Sequence, residues 1–310
     1  MSGPRRIDTH AHIVPDFYRK WLADKGVDAG GLPVPTWSTR STLDFMDVNG
    51  IETSIMAVST PGVEPGKPVE ARRMARELNE FSAKVVADDS TRFGFYATLT
   101  LPDVDGALAE AAYALDELNA DGIVLHAHAK GIYLGDPSFD PLFDELNRRE
   151  AVIFVHPSEL AGNAVPGIPA YVADFLLDSV RAAVNLSMSG TMDRCPNIKV
   201  ILSHAGGFLP YSSVRMAPQA SPKRTLEDGL RLFRRFYLDT ALASTNFSLP
   251  SLLAFADPTH ITYGTDFPYG PAAVGIMFTK ELDAYKDADH SAINRGNAEV
   301  LFPRLATAGA

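Results

Sequence analysis

The sequence is almost without cysteine. Its single copy, Cys195, excludes an intrachain disulfide, so the core must hold the fold, and a reducing, cytoplasmic compartment is expected. Long apolar runs are missing too. None approaches the roughly 20 residues of a membrane helix, and Met1 to Arg6 lead into a strand-like segment without the apolar stretch of a signal peptide. Basic charge is in deficit: 28 Lys and Arg face 38 Asp and Glu, a formal net charge of −10. Nucleic acid and anionic membranes both reward a basic surface, so neither is expected as a partner. A small anionic substrate held by a few local cations remains open. No glycine-rich phosphate loop follows the first strand-like run, which weakens an open doubly wound sheet as the fold.

What is present is ordinary globular composition, 46% hydrophobic and 21% charged over 310 residues. That suits one large domain spanning 1–310. Eight short apolar runs read as strands: Arg6–His10, Thr53–Ser59, Arg92–Leu99, Gly122–Leu125, Val152–His156, Lys199–Ser203, Phe236–Asp239 and His260–Gly264. Several are apolar almost throughout, as in strands covered by helices on both faces. Helical spacing fills most of the gaps, at Ser41–Asn49, Pro68–Ala87, Val104–Asn119 and Pro141–Glu150. Alternation of this kind predicts parallel βαβ units, and eight strands predict an α/β fold closed as a (β/α)8 TIM barrel. Two stretches rich in Gly and Pro, 17–39 and 159–171, read as loop insertions on the C-terminal face, where barrel active sites lie.

Polar residues gather at the predicted strand ends. The first strand leads into Asp8-Thr9-His10-Ala11-His12, the fifth ends in His156-Pro157, the sixth in Ser203-His204-Ala205-Gly206-Gly207, and the eighth in Gly264-Thr265-Asp266-Phe267-Pro268. Side chains alternate along a strand, so His10 and His12 face the same way and can reach one ion. His156 and Asp266 would complete a shell of three imidazoles and one carboxylate, which suits Zn²⁺ and, with added water, Mn²⁺ or Fe²⁺. A second pair, His126 and His128, follows the fourth strand and reads as substrate-pocket or loop.

These motifs, with the tail Asn297-Ala298-Glu299-Val300-Leu301-Phe302, resemble the amidohydrolase-superfamily decarboxylases related to aminocarboxymuconate semialdehyde decarboxylase. Pro35-Thr36-Trp37-Ser38, Ser59-Thr60-Pro61-Gly62-Val63 and Tyr133-Leu134-Gly135-Asp136-Pro137 point to the 6-methylsalicylate decarboxylase-like subgroup. The resemblance implies a distorted (β/α)8 barrel with one divalent metal, zinc first and manganese next, on His10, His12, His156 and Asp266. It implies His204 as the acid/base residue beside the metal, with Asp266 as a second candidate proton donor. It implies Arg215 as a carboxylate-binding residue donated across a dimer interface. The family's other carboxylate-binding Arg is displaced here; Thr42 stands at its position, and Arg40, two residues earlier, is the candidate substitute. Binuclear hydrolases of the superfamily carry a Lys at the end of the fourth strand, where this chain has His126. The implied activity is non-oxidative decarboxylation of a small aromatic or unsaturated carboxylic acid. Single-metal hydrolysis of a lactone, ester or amide is the alternative on the same barrel.

Overall fold

The structure, a computed structural model, describes residues 4–160, 162 and 165–306. Eight parallel strands follow one another: β1 Arg6–His12, β2 Ile51–Ala57, β3 Phe93–Thr98, β4 Gly122–His126, β5 Val152–His156, β6 Lys199–Leu202, β7 Tyr237–Asp239 and β8 Ile261–Thr262. Each lies within two residues of its predicted bounds. They pair in chain order. The last returns to the first where Thr9 N–H donates to Tyr263 O at 2.9 Å and His12 N–H to Phe267 O at 2.7 Å. The result is a (β/α)8 barrel, as the alternation predicts.

The apolar runs explain the layering. In β5, Ile153 and Val155 pack into the layer between strands and helices, while Val152 and Phe154 point into the barrel with Ile7, Ile55, Tyr96, Val124, Ile201 and Tyr237. A strand that faces apolar side chains on both sides needs no polar alternation, and each fully buried side chain contributes roughly 1.5–3 kcal/mol. Ala298, Leu301 and Phe302 join the interior group at the end where the strands begin. The opposite end is left for chemistry.

The pairing of β1 with β2 shifts register twice, and the second shift sets the site. Asp8 pairs with Ser54 and Ala11 with Met56, so three steps on β1 face two on β2. This bulge reverses the parity of the strand. Ile7 faces the barrel interior, and beyond the extra residue it is His10 and His12 that do so; Phe154 lies beneath His10 with ring centroids 4.7 Å apart.

The helices are α1 Asp16–Asp24, α2 Thr39–Val48, α3 Pro68–Asp88, α4 Val104–Asp116, α5 Asp140–Arg148, α6 Ala170–Met188, α7 Thr191–Arg194, α8 Leu209–Met216, α9 Leu226–Phe233, α10 Leu249–Phe255, α11 Ala272–Ala284 and α12 Asn297–Leu301. One expectation is corrected. Segment 17–39 begins as helix α1, not as loop, because Tyr18, Trp21 and Leu22 sit at helical spacing and bury. In segment 159–171, Ala161, Asn163 and Ala164 lie outside the described residues. Among the described residues, no helix is long and apolar enough to cross a membrane.

Candidate active site and metal centre

The ends of β1, β5 and β6 and the turn after β8 bring four buried side chains to one point. His10, His156, His204 and Asp266 each place a ligating atom within 4.8 Å of the others. His12 lies outside that group of four but adjoins two of its members, its Nε2 lying 3.2 Å from His10 Nε2 and 2.9 Å from Asp266 Oδ1.

Three of the rings are anchored through Nδ1. His10 Nδ1 is 2.8 Å from Asp239 Oδ2, His12 Nδ1 is 3.1 Å from Ala57 O, and His156 Nδ1 is 2.8 Å from Pro157 O. Each anchor is an acceptor, so it keeps a proton on Nδ1 and leaves Nε2 as a bare lone pair. Those lone pairs converge. The His10 and His12 Nε2 atoms are in van der Waals range of each other, and His156 Nε2 is buried with no partner. Neighbouring lone pairs repel unless a cation stands among them. Imidazole nitrogens with one carboxylate are a donor set that Zn²⁺ and Mn²⁺ accept, so the residues present fit one divalent ion.

The electrostatics agree. Burial lowers His12, His156 and His204 from the ordinary imidazole value, which favours their neutral, ligating forms. Burial would raise Asp266, but the adjacent His10 and His12 rings hold its carboxyl well below the usual range. Burial would lower His10 too, yet Asp239 and Asp266 outweigh it and push that ring up to about 10. Two carboxylates thus draw positive charge to the His10 lone pair, where a proton and a metal ion would compete.

The backbone at the site is strained. His204 and Asp266 have φ of 54° and 64°, a left-handed region that L-residues avoid at a cost of about 1–3 kcal/mol each. A Cβ on Gly264 would lie 2.9 Å from His10 Cβ and 3.2 Å from Asp239 Cβ, so no side chain fits where these two residues pack.

A cavity of about 520 Å³ opens over the cluster. His156, His204, Asp266 and Tyr269 line it beside Ala29, Leu32, Val172, Phe175, Leu176, Leu242 and Val274. No Arg or Lys is among its described lining residues.

The expected substrate contacts lie elsewhere in this chain. Arg40 stands on α2 with its side chain 84% exposed, paired with Asp44 at 2.8 Å. Arg215 is exposed on α8 and makes no ion pair among the described residues. His128 Nε2 donates to Glu159 O at 2.7 Å and its Nδ1 accepts from Gly131 N–H at 3.2 Å, so this ring ties two loops together. His126 packs beside His156, with ring centroids 6.4 Å apart, and faces a water-sized void of about 30 Å³ with Thr98. Its ring is pushed down to about 4 by burial.

Two residues escape the sequence reading. Asp239 ends β7, fully buried, and accepts from His10, from His204 N–H at 2.9 Å and from Ala241 N–H at 3.0 Å. The rule that strand ends carry function applies to it as it did to His156. Tyr269 sits edge-on to His12, with centroids 5.2 Å apart, and its hydroxyl is buried without a partner. No spacing signal marks it.

Comparison with known proteins agrees with this geometry. Residues 7–304 match the amidohydrolase family. Decarboxylase macB of Penicillium terrestre is 37% identical over 97% of this chain and 95% of its own length. The 6-methylsalicylic acid decarboxylase of Penicillium expansum is 35% identical over 97% of each chain. The crystal structure of an amidohydrolase II superposes with a TM-score of 0.91 at 29% identity, covering 96% of this chain and 99% of that one. The chain belongs to the amidohydrolase family and, within it, to the decarboxylases.

Proposed function

We propose that this protein removes CO2, without oxidation, from an ortho-hydroxy aromatic acid of the 6-methylsalicylate type. The observation that carries the reading is the convergence of three Nδ1-anchored imidazoles and a depressed carboxylate on one point, beneath a mostly apolar cavity. In this reading His10, His12, His156 and Asp266 hold one divalent ion, zinc first and manganese as the alternative. When bound, the ion offers positive charge to the acid's oxygens and offsets the electron density left by departing CO2.

The remaining work falls to the chain. Loss of CO2 consumes one proton per turnover at the ring carbon. In this reading His204 holds it; the support is its burial at the cavity with Nε2 3.5 Å from Asp266 Oδ2 and Nδ1 unpartnered. Asp266 is the second candidate carrier. The apolar walls keep water from the acid, whose charge disperses as the carbon–carbon bond breaks. Among the described residues of one chain no Arg or Lys lines the cavity. Arg215, exposed on α8 beside Tyr211 (84% exposed) and Val214 (63%), would supply one across a two-fold dimer. A cytoplasmic location completes the reading.

The test is product analysis. Zinc- or manganese-loaded protein is offered hydroxybenzoic acids and, separately, lactones and esters. CO2 release from an acid supports the proposal; acid release from a lactone with no CO2 from any acid would replace it with hydrolysis.

A further inference from the structure

The cavity is larger than the chemistry needs. A hydroxybenzoic acid has about ten non-hydrogen atoms and fills roughly 160 Å³ at the density of organic crystals, against a cavity of about 520 Å³. The surplus is mostly apolar, with Ser59, Thr60, Tyr171, Ser248 and Tyr269 as its polar exceptions. Its larger apolar side chains are Leu32, Val172, Phe175, Leu176, Leu242 and Val274. In the single chain Val172 and Leu176 remain 55% and 38% exposed, so the apolar lining runs from the buried cluster to that chain's surface. An enzyme for a ring with one methyl group gains nothing from that wall. An apolar tail on the ring would cover it.

We propose that the substrate carries an alkyl chain of about three to six carbons, or an apolar group of that bulk, directed from the ring to the mouth of the cavity. This rests on the decarboxylase reading for the acid end of the molecule and on the cavity alone for the tail. Each methylene that leaves water for this wall tightens binding by a factor of about 4. Four added methylenes would reach roughly 250-fold if the fit were complete.

The experiment uses the full-length zinc-loaded protein and two ligand series. The first is 3-methyl-, 3-propyl- and 3-pentylphenol, the products that the matching acids would give, measured for affinity by calorimetry. The second is the corresponding 2-hydroxy-6-alkylbenzoic acids, followed by CO2 release. The inference expects phenol affinity to rise at each step through pentyl, and Val172→Asp to cut the pentyl-over-methyl ratio about tenfold or more. Affinity that is flat or falls from methyl to propyl overturns it. So does a chain-length gain that Val172→Asp leaves intact, since the tail would then lie elsewhere. Rising phenol affinity with no CO2 from any acid keeps the tail site and removes the decarboxylase reading. CO2 release with no chain-length effect does the reverse.

Discussion

Replacing Asp239 by Asn tests how the metal centre is held. The carboxylate serves three donors: His10 Nδ1–H at 2.8 Å on one oxygen, and the N–H groups of His204 and Ala241 at 2.9 and 3.0 Å on the other. An amide of the same shape has only one acceptor oxygen. If that oxygen stays with the two backbone groups, the new NH2 faces His10 and forces its proton from Nδ1 to Nε2, and the lone pair aimed at the cluster is lost. If the amide turns over, two buried N–H groups face a donor, each at a cost of about 1–3 kcal/mol. The first arrangement strands fewer groups and is the expected one. Asp239→Asn should then fold normally and lose roughly 10–100-fold in zinc affinity. Asp239→Ala leaves both N–H groups bare and should also lose stability, about 2–6 kcal/mol. Competition with a chromophoric chelator measures the affinity, and circular dichroism with thermal melting measures the fold. Zinc binding by Asp239→Asn as tight as that of the wild type would refute the tautomer argument.

Three further outcomes are expected. His204→Ala should keep the fold and the metal but lose about 10²-fold or more in turnover; a parallel loss of zinc affinity would make His204 a ligand instead. Tyr269→Phe removes a buried hydroxyl that has no protein partner, so the melting temperature should hold or rise while affinity for the acid falls by about 5–10-fold, one neutral hydrogen bond. Arg215→Ala and His204→Ala should each be nearly inactive alone, yet mixing them through denaturation and refolding should restore about a quarter of wild-type activity, because half of the dimers are mixed and each of those holds one intact site. No recovery on mixing would place the carboxylate contact within one chain.

Much of the centre is legible in the sequence because it depends on strand ends. His156 and Asp266 follow apolar runs directly, and position alone sends them to the C-terminal face. The His10 and His12 pair is legible as a pair, since residues two apart share a face. Which face they share is not, because it depends on a bulge that exists only in the register between β1 and β2. Asp239 looks from sequence like any strand-end acid; its role rests on packing against His10 and Gly264, which are distant in the chain. Helix α1 is hidden by the glycines and prolines that follow it. Arg40 shows the limit of carrying a pattern across a shift of two residues. On a helix that shift turns a side chain through about 200°, and here it faces solvent and Asp44.

The most direct test of the central claim is the fate of the carboxyl carbon. The metal-loaded protein is given 6-methylsalicylate isotopically labelled at that carbon, in deuterated water, and gas and phenol are analysed by mass spectrometry. Labelled CO2 and 3-methylphenol should appear one for one, with a single deuterium on the ring carbon that lost the carboxyl group. An unlabelled gas phase and unchanged acid, with turnover of a lactone by the same preparation, would contradict the account.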